Sequence, residues 1–274
     1  VIVVDNLSTG SRNNIPFNEN LKFYELNIET DDIEFIFKEE NIDFVIHLAA
    51  QTNVIESVNN PLHDAKLNIL SSINLIELSK KYKVKKFIAA STAAVYGKPK
   101  YIPIDEKHPT EPISPYGLSK LTMEKYIQMS DIPYIIFRFS NAYGIKRNSP
   151  KESGVVTIFE NAMINNQDIN IYGNGEQLRD FIYVEDIADI FVNMLKSNVK
   201  NEIFNFSTNE GITINQLFEE MKKIYNYEKI QNYLPERDEE IKESILSNEK
   251  IMKYFPNLKY YSLAEGIQKL RNDK

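Results

Sequence analysis

Cysteine is absent from the 274 residues, which excludes disulfides, thiolate metal sites and cysteine nucleophiles together. A reducing compartment suits such a chain, and the cytoplasm is the expected location. Histidine is scarce: His47, His63 and His108 stand far apart without metal-ligand spacing, so no metal is expected. No apolar run approaches the roughly 18 residues of a membrane span, and no charged-then-apolar leader opens the sequence. Positive charge is also in deficit, with 32 Lys and Arg against 39 Asp and Glu, a formal net charge of −7. That balance disfavours nucleic acid backbones and anionic membranes and leaves a small molecule as the expected partner.

With 42% hydrophobic and 26% charged residues, the chain can bury a full core. Its length suits one large α/β unit with a smaller lobe. Short apolar strands are expected at Val1 to Asp5, Leu21 to Leu26, Phe44 to Leu48, Phe87 to Ser91 and Tyr134 to Phe139. Helices are expected between them, most clearly at Asp31 to Glu40, Asp64 to Tyr82 and Pro115 to Met129. This rhythm predicts parallel βαβ units with right-handed crossovers in a doubly wound sheet. After about Lys146 it loosens: a helix at Val155 to Asn165, a hairpin-like Asp168 to Phe181 with Gly173 and Gly175, a helix at Ile187 to Lys196 and a strand at Ile203 to Phe206. Helices at Gln216 to Tyr225 and Leu263 to Leu270 flank a charged, strand-poor middle.

Tyr116 and Lys120, one turn apart at the start of a predicted helix opened by Pro115, project from one face. An ammonium beside a phenol favours the phenolate, so the pair can move a proton. Alone, the spacing is also that of a surface Tyr and Lys. The strand ending Ala89-Ala90-Ser91-Thr92 places two hydroxyls at a carboxyl end, where open α/β sheets bind ligands. Such a hydroxyl can bond a substrate oxygen or merely cap the strand-loop junction.

In these and other segments the chain resembles the extended short-chain dehydrogenase/reductase superfamily, and within it the nucleotide-sugar 4-epimerases. The matching segments are Asp5-Asn-Leu-Ser-Thr-Gly10, His47-Leu-Ala-Ala-Gln51, Thr92 to Gly97, Tyr116 to Lys120, Arg138-Phe-Ser-Asn141-Ala-Tyr-Gly144 and Gln177-Leu-Arg179-Asp-Phe-Ile-Tyr-Val-Glu-Asp186. The resemblance implies Tyr116 as catalytic base, Lys120 as holder of the nicotinamide ribose and tuner of Tyr116, and Thr92 as partner hydroxyl, with Ser91 the alternative. It implies NAD as cofactor and a cycle in which the C4 proton and hydride leave to give a 4-keto sugar. The hydride then returns to the opposite face after the sugar rotates. Related dehydratases and decarboxylases carry acids after the threonine, where this chain has Ala93 and Ala94, so epimerisation ranks above dehydration or decarboxylation, and a nucleotide-sugar dehydratase or reductase is the alternative.

Asp5, with Asn6 beside it, is placed to accept adenosine ribose hydroxyls and to repel an NADP phosphate, although Arg12 lies near. By resemblance, Asn27 and Ile28 edge the adenine, Ala49, Ala50 and Gln51 line the dinucleotide, and Asn68 and Ser91 support its nicotinamide end. For the substrate, a UDP-glucose or UDP-galactose type sugar, Asn141 corresponds to a diphosphate donor and Arg179 and Arg237 to phosphate-binding arginines. Tyr172 falls near the uracil, Val156 beside the nucleotide, and Ser244 at the C2 substituent, where a small residue leaves room for an N-acetyl group. The implied division is an NAD-binding Rossmann-type domain over 1–147, rejoined by 181–207, and a nucleotide-sugar lobe from 148–180 and 208–274. Homodimerisation through the Asp64 to Tyr82 and Pro115 to Met129 helices is likewise implied.

The family opens with a strand and a Gly-x-x-Gly-x-x-Gly turn for the pyrophosphate, and no such glycines precede Asp5. The expected sheet therefore lacks its first strand, a βα unit of roughly thirty residues. On this reading the chain is a fragment, or a mis-started product, of a longer active enzyme. An inactive dinucleotide sensor or scaffold is the reading of another class, and the retention of Thr92, Tyr116 and Lys120 counts against it.

Overall fold

The computed structural model describes residues 1–144, 154–236 and 241–272. From the start, β1 (Ile2–Asp5), β2 (Lys22–Glu25), α1 (Glu34–Glu39) and β3 (Phe44–His47) are followed by two short helices, α2 (Val54–Asn59) and α3 (Pro61–Ala65). A widened, π-helical turn over Lys66–Leu70 runs into α4 (Ser71–Lys81). Next come β4 (Lys86–Thr92), α5 (Pro115–Met129), β5 (Tyr134–Phe139) and β6 (Asn141–Tyr143). The second half holds α6 (Val155–Ile164), β7 (Asn170–Tyr172), β8 (Leu178–Arg179), β9 (Phe181–Tyr183), α7 (Val184–Lys196) and β10 (Glu202–Phe206). It closes with β11 (Ile212–Thr213), α8 (Ile214–Tyr225), β12 (Asn232–Leu234), β13 (Glu243–Ser244), α9 (Glu249–Tyr254) and α10 (Leu263–Asn272).

The main sheet is parallel in the order β10-β5-β4-β3. Successive side chains of a strand face opposite ways, and β4 and β5 are apolar on both sides. Phe87, Ala89 and Ile136 therefore pack on one face with α1, α4 and α5. Ile88, Ile135, Phe137 and Phe139 pack on the other with α7 and β10. Helices on both faces make the predicted doubly wound arrangement. β1 and β2 pair in parallel as a separate two-stranded ladder, and the described residues form no ladder between β1 and β3.

A separate core gathers Val156, Phe159, Phe181, Leu217, Phe218, Met221 and Ile267 beneath the second half. Three local expectations change. Asp168 to Phe181 is not a hairpin, because β7 pairs in parallel with β12 while β8 pairs with β11 and β13. The strand-poor middle of the C-terminal region thus supplies the missing partners, and Gly173 and Gly175, with φ of 71° and 77°, only turn the chain between them. Ile251 of α9 packs on the Phe204 and Phe206 side of the main sheet, so part of the 208–274 stretch returns to it. The short helix α2 was not foreseen, and α3 opens at Pro61, ahead of the expected helix start at Asp64. They are started by Asn53 and Asn60, whose side chains accept from the Glu56 and His63 amides, with Pro61 at the first position of α3.

Candidate active site

Within each parallel ladder the strands end on one side, and Asp5, Thr92 and the loop with Ala49 to Gln51 lie at such carboxyl ends. β4 leads into a single 3-10 turn, Ala93–Tyr96, capped by the Thr92 hydroxyl, which accepts from the Ala94 amide at 3.1 Å. Ser114 caps α5 by accepting from Gly117 N at 3.1 Å, with Pro115 at the opening position. Gly117 then lies so close to the turn that a β-carbon there would sit 2.5 Å from the Ala94 carbonyl oxygen. Only glycine allows that approach, and it brings Tyr116 to the Thr92 hydroxyl, which hydrogen-bonds the phenol.

Burial pushes the Tyr116 phenol up to about 12, against the Thr92 hydrogen bond and with a further push from the Asp64 carboxylate. The expected lowering of this phenol by Lys120 is thereby corrected: the main cause at Tyr116 is loss of solvation, which raises it. Burial brings Lys120 down to about 8, opposed by Glu124 and Asp64. Its ammonium, with three donors, contacts Met123 Sδ at 3.8 Å. So lightly bonded a buried donor is suited to a pair of ribose hydroxyls.

Thr92 and Ser91 separate here. Ser91 is buried and donates to Glu124, which Arg138 grips through Nη2 at 2.6 Å and Nε at 3.0 Å. Arg138 continues to the Tyr96 hydroxyl at 3.0 Å, and Tyr96 to Asn205 Oδ1 at 2.6 Å. Thr92 is thus the hydroxyl facing Tyr116, while Ser91 ties β4 to α5. On the opposite flank the widened Lys66–Leu70 turn carries Asn68. Its Oδ1 accepts from Gln51 N at 2.8 Å, and its Nδ2 lies 3.0 Å from Gln51 O, 3.1 Å from Asp64 Oδ1 and 3.1 Å from Ser119 Oγ.

At the other end, Asp5 is exposed and its Oδ1 accepts from Leu7 N at 2.7 Å, while Asn6 Oδ1 accepts from Ser8 N at 3.0 Å. Arg12 lies over the Phe23 ring, 4.4 Å from its centroid, an aromatic contact that competes with any role on a 2′-phosphate. Asn27 Oδ1 accepts from Glu29 N at 2.9 Å, and Ile28 packs against the core. Ala49 is exposed and Ala50 half-buried in the loop after β3.

On the substrate side, Asn141 follows β5, which pairs Phe139 with Thr92. Its backbone and side-chain amides both donate to the Asp180 carbonyl at 2.9 Å. Arg179 adjoins that residue, with Nη1 on Leu178 O at 2.9 Å, and pairs in register with Ser244. Asn141, Arg179 and Ser244 are thus brought together. Tyr172 is exposed beside Gln177, Glu236 and Lys242, which share a cleft with it. The Val156 side chain is buried in the lobe core, because α6 turns its apolar face inward there. Arg237 lies outside the described residues.

Residues 1–207 match the model of the NAD dependent epimerase/dehydratase family. The chain belongs to that family. A putative UDP-glucose 4-epimerase of Methanocaldococcus jannaschii is 39% identical over 279 aligned positions, covering 99% of this chain and 89% of the relative. The crystal structure of a Thermotoga maritima UDP-glucose 4-epimerase with UDP-glucose superposes with a TM-score of 0.90 at 39% identity, over 99% of this chain and 89% of that one. A UDP-N-acetylglucosamine 4-epimerase of Methanobrevibacter ruminantium, in complex with UDP-N-acetylmuramic acid, gives 0.90 at 31% identity, over 100% and 91%. The cofactor of this NAD dependent family fits the residues present at its two ends: the under-bonded Lys120 ammonium and the exposed Asp5 carboxylate.

Several residues of this epimerase-family site escaped the sequence reading. Glu124 continues the Tyr116 and Lys120 stripe at the next helical turn, a spacing that could have marked it. Asp180 is buried and pushed up to about 6 by desolvation, against hydrogen bonds from Thr208, Ser140 and Asn209. It therefore ties the loops after β5 and β10 to the Arg179 strand. Ser57 of α2 accepts from the Tyr116 amide at 3.1 Å. Nothing in the local sequence marks Ser57, because its partner is 59 positions away.

Proposed function

We propose that this chain catalyses NAD-dependent 4-epimerisation of a nucleotide-sugar of the UDP-glucose and UDP-galactose type. The carrying observation is the hydrogen bond of Thr92 to Tyr116, with the buried Lys120 one helical turn on, at a turn whose first two residues, Ala93 and Ala94, supply no acid. Tyr116 takes the proton of the sugar C4 hydroxyl, and Thr92 orients that hydroxyl. Lys120 holds the ribose and contributes positive charge beside the phenol. NAD, when bound, supplies the acceptor and later the donor of the hydride. Elimination of water needs a second acid or base at the sugar, and neither alanine provides one. The 4-keto sugar then awaits hydride on its other face.

Asn141 and Arg179 are assigned to the diphosphate, with Arg237 as a further phosphate partner and Tyr172 near the base. Ser244, beside Arg179, leaves room at C2, which supports acceptance of N-acetylated sugars. The exposed apolar residues Leu62 and Leu70, and Leu118, Tyr126 and Met129 along one face of α5, support pairing of two copies through these helices. The test is incubation with NAD and UDP-galactose, then with UDP-N-acetylgalactosamine, with separation of the products. Formation of the C4 epimers by the native chain and their loss in Tyr116→Phe are expected. A dehydrated product, or equal turnover by Tyr116→Phe, overturns the reading.

A further inference from the structure

The proposed base stands in the first turn of α5, and a first turn leaves backbone amides without partners inside the helix. Pro115 has no N–H, and the Gly117 amide is taken by the Ser114 hydroxyl at 3.1 Å. The Tyr116 amide would stay open, at the end where helices fray. Its partner comes from another element: Ser57 Oγ of α2 accepts from Tyr116 N at 3.1 Å. The Ser57 hydroxyl proton is committed to the Val54 carbonyl at 2.6 Å, which leaves the oxygen as an acceptor.

α2 is built inside out. Val54, Ile55 and Val58 are 45%, 63% and 60% exposed, whereas Ser57 is 0% exposed and is the buried residue of this helix. A helix docked by an apolar stripe shows the reverse pattern. On its buried side α2 therefore meets α5 through a hydroxyl on an amide, and that amide belongs to the residue that carries the phenol.

The start of α2 is clasped by Gln51, which the family resemblance assigns to the dinucleotide. Gln51 Nε2 donates to the Asn53 carbonyl at 2.9 Å, and its Oε1 accepts from the Asn53 amide. The backbone amide of Gln51 donates to Asn68 Oδ1 at 2.8 Å, so this residue is itself held. Asn53 opens α2 by accepting from the Glu56 amide at 3.0 Å, and its carbonyl accepts from Ser57 N at 3.0 Å. A continuous set of hydrogen bonds thus runs from Gln51 through Asn53 and Ser57 to the Tyr116 backbone. Thr92 and the Gly117 contact fix Tyr116 against β4 and its turn, and Ser57 fixes it against the loop after β3.

We propose that Ser57 is a positioning residue for proton transfer: acting on the Tyr116 amide, it sets the phenol relative to the dinucleotide-lining loop. The hydroxyl proton and the hydride leave the same C4 centre, so the base and the hydride acceptor must keep one mutual distance. The kinetic consequence rests on the epimerase reading, whereas the placement of the ring does not.

The test compares Ser57→Ala, which removes the acceptor, with Ser57→Cys, which keeps the volume and offers only a weak acceptor. Three readouts are used. The first is kcat and KM for UDP-galactose with NAD, and the second is NAD affinity by calorimetry. The third is the NMR signal of the Tyr116 ring in protein carrying isotope-labelled tyrosine, assigned by its absence from Tyr116→Phe. In Ser57→Ala kcat should fall by about 10–10²-fold, with KM and NAD affinity nearly unchanged and the ring signal displaced. Ser57→Cys should follow Ser57→Ala in kcat and in the ring signal, and it carries the test should Ser57→Ala fail to fold. A native kcat and ring signal in Ser57→Cys would make Ser57 a packing residue and overturn the proposal. So would an unmoved ring signal in Ser57→Ala, a parallel loss of kcat, KM and NAD affinity, or failure of both variants to fold. If the native chain turns over no nucleotide-sugar, the epimerase reading fails, and the ring signal alone decides this inference.

Discussion

The two ends of the proposed dinucleotide site are built differently. Around Tyr116 the polar side chains bond across long sequence distances: Ser91 to Glu124 to Arg138, and Asp64 to Asn68 to Ser119. Around Asp5 each side chain closes on an amide two residues ahead, as Asp5 does to Leu7, Asn6 to Ser8 and Asn27 to Glu29. Proton transfer tolerates little displacement, so its groups need support from several elements. Holding an adenosine requires only local acceptors at a strand end.

Mutations should reveal this contrast in order of size. The largest effect belongs to Tyr116→Phe, which removes the proposed base: epimerisation should fall by about 10²–10⁴-fold in a product assay, with NAD affinity by calorimetry nearly unchanged. Arg138→Met leaves Glu124 buried and unpaired, and should destabilise the fold by about 3–5 kcal/mol in denaturant unfolding. A loss below about 1 kcal/mol would mean that Glu124 sheds its charge instead. Gly117→Ala forces α5 from the Ala94 carbonyl and should cost on the order of 10²-fold in kcat, far more than in NAD affinity. Smallest is Asp5→Ala, which removes an exposed acceptor: NAD should bind about 10-fold more weakly, near 1.5 kcal/mol, with kcat little changed. If Asp5→Ala depressed kcat as much as Gly117→Ala, the two ends would not differ as described.

The strands and long helices were legible because their apolar patterns are local and regular; Tyr134 to Phe139 and Pro115 to Met129 agree with the structure end for end. Tyr116, Lys120 and Thr92 were singled out by helical spacing and a strand terminus, which left surface and capping roles open, and took their roles from the family resemblance. Asp64, Ser57 and Arg138 gained no role from sequence because their meaning depends on partners from other elements. The Asp168 to Phe181 segment misled for a similar reason: its glycines do turn the chain, but strand pairing is decided by β12 and β13, some sixty residues away in the register. The burial of the Val156 side chain follows from the inward apolar face of α6.

The central claim is that the hydrogen at sugar C4 leaves and returns as hydride while Tyr116 handles only the hydroxyl proton. Proton NMR of UDP-galactose incubated with the protein and NAD in deuterium oxide tests it directly. The account predicts UDP-glucose whose C4 position still carries protium, with no loss of water and no net reduction of NAD. Deuterium at C4, a 6-deoxy-4-keto product, or unchanged substrate would contradict it.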